Sequence, residues 1–307
     1  MQSVVKKRVG IIRGGAGDHY ASSLRRGGDI ISHISENLSD KYKTCDILVD
    51  KDHIWHIHGL PVSPSDLMSK VDVVWNTSHP SFSNILQSLS IPHISSNPFS
   101  HTLEKSRAML AEHMKKAGVN MPRHMMFPLY QADFDGPRER YSIKKAKEVH
   151  GKFGGPWIVK SLTDNSDMPV HLAKTFPELV DAIEDGVNHQ TSILVEQFIS
   201  GKVASVHSLA NFRGEKVYTF PVVGIFGDLS SEEKEKLMTL AKDLHAHMGA
   251  TQYLKLSFVL DKRGKVHLLH ADSKIDPRKD SYLAQVCESV GAKMHHVVEH
   301  VLNNALS

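Results

Sequence analysis

Apolar positions near the start of the chain follow two different periods, and the change between them predicts the opening elements. Arg8 to Arg13 is a short apolar run, whereas the apolar residues between Ser23 and Asn37 fall at helical spacing. The glycine-rich segment Gly14 to Gly17 separates the two. Strand, glycine turn and helix predict the first unit of a parallel α/β domain. The turn itself is compatible with phosphate binding or with simple chain reversal.

Further strands of this domain are predicted from short apolar runs, at Cys45–Val49, Ile54–His58 and Val71–Trp75. In the second of these runs, strand alternation places His56 and His58 on one face. Two such imidazoles are compatible with a transition-metal site or with ordinary solvent-facing positions.

Two later segments are each expected to present a lysine. The spacing from Thr102 to Ala117 predicts one helix that ends at Gly118 and carries Lys105. Pro156 to Lys160 predicts a buried strand that ends on a cation. A buried ammonium group is costly without a partner, so Lys160 is expected to face a binding site.

A hairpin near the C-terminus combines buried positions with polar side chains at its end. Tyr253–Leu260 and Lys265–His270 are predicted as two antiparallel strands joined by a tight turn. Alternation places His270 and Asp272 on the same face, and Ser257 on the partner strand is expected nearby. The sequence therefore predicts a cluster of chelating side chains at this end of the hairpin.

Length, net charge and cysteine content limit the number of domains, the partners and the compartment that we expect. With 307 residues, 40% hydrophobic and 23% charged, the chain is long enough for two or three subdomains. The net charge of +3 arises from scattered residues, which argues against a nucleic-acid partner. Cys45 and Cys287 have no metal-like spacing and indicate a reducing compartment, so a cytoplasmic location is expected. We also expect no membrane span and no signal peptide.

The order and spacing of these elements resemble the ATP-grasp ligases, and most closely the D-alanine–D-alanine ligase family. The matching positions lie in the glycine turn, the first helix, the helix predicted from Thr102 and the later strands. They are Gly14, Gly15, Ser23, Leu24, Lys105, Lys160 and Glu196. The resemblance implies an α/β fold in which an N-terminal parallel α/β domain at 1–98 precedes a two-lobed ATP-grasp domain. Its small lobe is expected at 99–201 and its C-terminal lobe at 202–307.

The resemblance also implies roles for particular residues. Lys105, Lys160 and Glu196 occupy the positions that hold ATP in the family. Lys255 stands where the family has a catalytic arginine, and His19 stands where it has the glutamate that anchors the substrate amine. The metal-ligand positions are occupied by His270 and Asp272.

Several of these positions have changed in chemical type. Magnesium prefers oxygen ligands and imidazole suits softer metals, so any magnesium bound at Asp272 is expected to be weakly held. The family's phosphate-binding loop matches Asn165–Pro169, where Pro169 removes a backbone donor and Asp167 adds negative charge. A long lid that the family inserts between Val217 and Ser230 is also missing.

The sequence is therefore compatible with two functions. The first is ATP-dependent carboxylate–amine ligation, with a nucleotide and a small amino-acid-like substrate as partners. The second is a pseudoenzyme, a catalytically inactive ATP-grasp descendant that serves as a binding or assembly partner. A homodimer is the assembly that we consider in either case.

Overall fold

The described residues between Lys7 and Lys116 form alternating strands and helices. The structure is a computed structural model that describes residues 5–17, 19–95, 98–162 and 166–307. The elements of this stretch are β1 (Lys7–Gly14), α1 (Tyr20–Asn37), β2 (Tyr42–Val49), β3 (Trp55–Ile57), β4 (Leu60–Val62), α2 (Leu67–Lys70), β5 (Val73–Asn76), α3 (Phe82–Ser88), β6 (His93–Ile94), α4 (Pro98–Lys105) and α5 (Arg107–Lys116). The strands form one sheet in the order β4-β3-β2-β1-β5-β6, and β2, β1, β5 and β6 are parallel. The predicted parallel α/β domain is confirmed.

The glycine turn after β1 works as a chain reversal. Gly14 has a φ of 88°, and a side chain there would overlap the carbonyl oxygen of Val49. The N–H of Gly14 donates to Ser23 Oγ over 3.0 Å, and the N–H of Gly15 donates to the Val49 carbonyl over 2.7 Å. Because both amides are engaged within the protein, they are not directed at a phosphate.

Two predictions in this region are wrong. His58 lies after β3 in a turn with a φ of 52°, so it does not share a strand face with His56, whose Nε2 instead contacts Asp50 Oδ2 at 2.8 Å. The single helix predicted from Thr102 to Ala117 is two helices that break at Ser106. Ser106 is extended and its hydroxyl accepts from the N–H of Met109, so a capping residue overrides the helical periodicity.

The middle of the chain forms a smaller antiparallel sheet with flanking helices. Its elements are β7 (His124–Phe127), α6 (Ala132–Asp135), α7 (Arg138–Lys152), β8 (Trp157–Ser161), β9 (His171–Ala173), α8 (Phe176–Asn188) and β10 (Ile193–Gln197). The strand order is β7-β10-β8-β9. Of the segment predicted to replace the phosphate-binding loop, Asn165 lies outside the described residues, as does the neighbouring Asp164.

The C-terminal stretch contributes the third sheet. Its elements are β11 (Gly201–Ala210), β12 (Val217–Thr219), β13 (Val223–Phe226), α9 (Ser231–His247), β14 (Tyr253–Asp261), β15 (Val266–Asp272), α10 (Tyr282–Ser289) and α11 (Met294–Leu306). The strand order is β12-β11-β14-β15, and β13 also pairs with β11. The predicted hairpin of β14 and β15 is present.

Contacts divide the chain into two compact units. The first unit contains 1–119, 202–258 and 269–307, and the second contains 120–201 and 259–268. Each has its own core: residues of α1, β1, α10 and α11 pack together in the first, and residues of α7, α8, β8 and β10 pack together in the second. No helix in the described part of the chain combines the length and apolar character that a membrane span requires.

Candidate functional site

A pocket of about 750 Å³ opens within the first unit. Helix α1 forms one wall, strands β11, β14 and β15 form another, and the loop between β15 and α10 borders both. Its volume falls in the range of small-molecule sites. The charged and ionisable residues that line it are Arg25, Arg26, Asp29, His207, Tyr253, Lys255, Asp272, Lys274, Asp276, Arg278, Asp280 and Tyr282.

Strand alternation explains why β11 and β14 supply polar groups to this pocket. Tyr253, Lys255 and Ser257 occupy alternate positions of β14 and share one face, and Ser205 and His207 do so on β11. Ser205 Oγ and Ser257 Oγ are hydrogen-bonded at 3.0 Å, which brings the two faces together. The intervening Leu254 and Leu256 are fully buried on the opposite face. The apolar side chains of each strand therefore pack into the core, and this packing directs the alternating polar side chains to the opposite face.

Arg25, Arg26 and Lys255 are the cations of the pocket that remain available. Within the described residues, none of their side chains makes an ion pair or a hydrogen bond. Arg278, in contrast, holds Asp276 through contacts of 3.0 Å from Nε and 2.7 Å from Nη2. Burial tends to raise the pKa of Asp276, but these hydrogen bonds from Arg278 outweigh it and lower the pKa overall. Asp276 thus stays anionic and already has a partner.

Hydrogen bonds hold the loop between β15 and α10 against two helices, α10 and α1. The Oγ of Ser281 accepts from the N–H of Ala284 at the start of α10 and donates to the carbonyl of Asp276 over 3.1 Å. At the other side, Nε2 of the buried His33 on α1 contacts the carbonyl oxygen of Pro277 at 2.7 Å. These bonds connect the loop to the wall formed by α1 and pre-organise the pocket.

His19 and Lys105, predicted from sequence to take part in substrate and nucleotide binding, are adjacent. Lys105 Nζ donates to His19 Nε2 over 3.0 Å, where α4 ends and α1 begins. Neither residue lines the pocket described above. An imidazole that accepts from a lysine cannot anchor a substrate ammonium group as a carboxylate would.

Asp272 lines the pocket, and its carboxylate lies close to a residue that sequence reasoning missed. Glu104 on α4 accepts a hydrogen bond from the N–H of Ser273 over 2.7 Å. Burial and, next, the negative charge of Asp272 raise the pKa of Glu104 to about 7. The sequence offered one signal for it, since Glu104 precedes Lys105 at a matching position of the family, but only the lysine was given a role.

His270 and Asp272, the two positions predicted to bind metal, lie on β15. His270 shares a strand face with Asp272, as alternation predicted, but its side chain is exposed. Asp272 Oδ1 accepts from the N–H of Lys274 over 2.9 Å. No group of three or more histidine, cysteine, aspartate or glutamate side chains suited to a metal ion occurs within the described residues. This donor set does not fit magnesium, which requires about six oxygen ligands.

Lys160 and Glu196, predicted to bind nucleotide, form an ion pair in the second unit. Strands β8 and β10 are antiparallel neighbours, and Lys160 Nζ lies 2.8 Å from Glu196 Oε2. The Glu196 side chain is 7% exposed and that of Lys160 is 35% exposed, so the carboxylate of the pair is buried and the lysine is partly exposed. The structure therefore joins two of the three predicted nucleotide-binding residues, while Lys105 belongs to the first unit.

Curated D-alanine–D-alanine ligases are similar to this chain in sequence. No family model matches the chain. A D-alanine–D-alanine ligase of Christiangramia forsetii is 21% identical over 338 residues, covering 99% of both chains. The D-alanine–D-alanine ligase of Nitrosospira multiformis is 24% identical over 240 residues, covering 72% of this chain and 73% of the ligase.

Solved structures resemble the chain over its whole length. The D-alanyl-alanine synthetase A of Vibrio cholerae superposes with a TM-score of 0.74 at 15% identity, covering 99% of each chain. A D-Ala:D-Ser ligase from Enterococcus faecalis gives 0.74 at 16% identity, covering 98% of this chain and 99% of the ligase. The D-alanine–D-alanine ligase of Bacillus anthracis, complexed with ATP, gives 0.70 at 17% identity and covers 98% of this chain and 97% of its own.

Proposed function

Since the chain has the ATP-grasp fold of the D-alanine–D-alanine ligases, we propose that it binds a small amino-acid-like molecule in the pocket of the first unit, without turning over ATP. The observation that carries this proposal is the presence of three unengaged cations, Arg25, Arg26 and Lys255, in a pocket of about 750 Å³. Such cations attract a carboxylate. Asp29 and Asp280 line the same pocket and offer partners for an ammonium group.

The proposal separates binding from catalysis on chemical grounds. Acyl-phosphate chemistry depends on donors and cations that neutralise the charge developing in the transition state. Lys255 provides a single ammonium group where the family has the planar, bidentate fork of arginine. The donors around Asp272 do not fit magnesium. The pocket therefore retains the positive charge needed to bind a carboxylate. The set of cations and metal ligands needed for phosphoryl transfer is incomplete.

Calorimetric titration with D-alanine and D-serine tests the binding. We expect Lys255→Ala to weaken the affinity by about tenfold or more, because a charge-assisted contact is lost, and Lys255→Arg to retain most of it. Lys43→Ala is the control, since Lys43 is exposed on β2 and does not line the pocket. A wild-type protein that binds neither D-alanine nor D-serine would contradict the proposal.

A second candidate function is ATP-dependent carboxylate–amine ligation, favoured by the buried contact between Lys160 and Glu196 at positions that resemble a nucleotide site. A coupled assay for ADP release, with ATP, Mg²⁺ and D-alanine, distinguishes the two functions. We expect no release above the background without D-alanine. Release that depends on D-alanine and is abolished by Lys160→Ala would establish ligation in place of binding alone.

A further inference from the structure

His207 is a buried histidine that lines the pocket and has one ring nitrogen without a hydrogen-bond partner among the described residues. It lies on β11, is 2% exposed and lines the cavity beside Tyr253 and Lys255. Its Nδ1 is 2.7 Å from the hydroxyl of Tyr253. Its Nε2 is buried and has no hydrogen-bond partner within the described residues. Buried polar atoms are nearly always paired, so an orphaned one on a residue that lines a cavity is a candidate for a ligand contact.

The tautomer of His207 follows from its single bond to Tyr253. Tyr253 is 2% exposed, and among the described residues His207 Nδ1 is the partner of its hydroxyl. If Nδ1 carried the proton, the phenolic hydrogen would be buried without an acceptor. The arrangement in which the hydroxyl donates to Nδ1 avoids that cost. His207 therefore carries its proton on Nε2, which leaves an unpartnered donor on a residue that lines the pocket.

The charges around this donor determine what it can bind. Burial, and then the charge of Lys255, lower the pKa of His207 to about 3, so the ring is a neutral donor at ordinary pH. Asp276 also acts on His207, but its carboxylate is held by Arg278. Arg26 lines the same pocket, and its charge acts on Asp276 and on Tyr253, the partner of His207. A neutral donor beside the unengaged ammonium group of Lys255 is complementary to an oxyanion.

We propose that His207 determines the specificity of the pocket by donating its Nε2–H to a carboxylate or phosphate oxygen of the ligand, which Lys255 and Arg26 neutralise. This inference rests on the proposed binding function and adds the group that recognises the oxygen. Carboxylates and phosphates share this chemistry, so both classes of probe are needed. The donor acts by direct contact with the ligand and takes no part in a proton transfer.

His245 offers a matched control. It is also 2% exposed, its Nδ1 is bonded to Ser208 Oγ at 2.8 Å, and its Nε2 is buried without a partner within the described residues. It does not line the pocket. His207→Leu and His245→Leu therefore remove similar buried imidazoles, and only the first removes a donor from the cavity.

Titration of the full chain with D-alanine, D-alaninamide and inorganic phosphate tests the role of His207. We expect His207→Leu to weaken D-alanine binding by about 10- to 100-fold and His207→Gln, which keeps a donor at a similar position, to restore most of it. D-Alaninamide, which lacks the carboxylate, should respond little to either change. His245→Leu should leave all affinities unchanged. If phosphate is the probe that loses affinity in His207→Leu, the oxyanion is a phosphate.

Nitrogen NMR of ¹⁵N-histidine-labelled wild-type protein gives a readout that does not depend on the variants folding. The His207 signals should show protonated Nε2 and bare Nδ1, and the Nε2 proton should shift on saturation with D-alanine or phosphate. Protonated Nδ1, or D-alanine and phosphate affinities that His207→Leu does not change, would overturn this inference while leaving the proposed binding function intact. Absence of binding by wild-type protein would overturn both.

Discussion

Replacing Glu104 with glutamine is expected to stabilise the protein progressively as the pH rises. The pKa of Glu104 is raised from 4.5 to about 7, first by burial and next by the charge of Asp272. The folded state therefore holds this proton to higher pH than the unfolded state does. Below about pH 4.5, ionisation of Glu104 does not lower the free energy of unfolding. Between about pH 4.5 and about pH 7 this loss of unfolding free energy grows, and above about pH 7 it is constant. Glutamine removes the charge and keeps an oxygen to accept from the N–H of Ser273.

Denaturant unfolding of wild type and Glu104→Gln at about pH 5 and about pH 8 measures this effect. We expect the difference in the free energy of unfolding between variant and wild type to rise by about 2 to 3 kcal/mol over that interval. Titrating groups that are not coupled to Glu104, including His245, contribute equally to both proteins and cancel in the difference. Glu112→Gln on the exposed surface of α5 is the control and should show no such change. A difference that is the same at both pH values would exclude a strained carboxyl at Glu104.

Gly201→Ala is expected to cost about 3 kcal/mol or more of unfolding free energy, because no space exists for a methyl group at the start of β11. An added Cβ would overlap the carbonyl oxygen of Leu260 and lie 2.6 Å from its carbonyl carbon. These are backbone atoms of the neighbouring strand β14, and they cannot rotate away as a side chain could. Relief therefore requires the two strands to separate.

Gly154→Ala is the matched substitution within the same unit. A Cβ at Gly154 would have no atom within 4 Å, so we expect a change within about 0.5 kcal/mol. Thermal and denaturant unfolding of the two variants can be compared directly with wild type. Equal stabilities of Gly201→Ala and Gly154→Ala would show that β11 and β14 are not packed as closely as the structure describes.

The sequence alone determined the features that depend on local pattern. Periodicity located β1, α1 and the hairpin of β14 and β15 to within a few residues, because burial of one face imposes a fixed spacing on apolar residues. Strand alternation correctly put His270 and Asp272 on one face. The capping of α5 by Ser106 was missed, because a single serine within a helical pattern does not by itself indicate a break.

Only the tertiary structure decided which distant residues meet. Glu104 approaches Ser273 across 169 positions, and His207 approaches Tyr253 across 46, with no local pattern to predict either contact. Burial then changes their chemistry, raising the pKa of Glu104 and leaving His207 as a neutral donor. A residue type and its spacing specify which groups a strand can present. Which of those groups lose water and which gain a partner depends on how the strands and helices pack, and that packing made His207 a candidate binding residue and left His270 exposed.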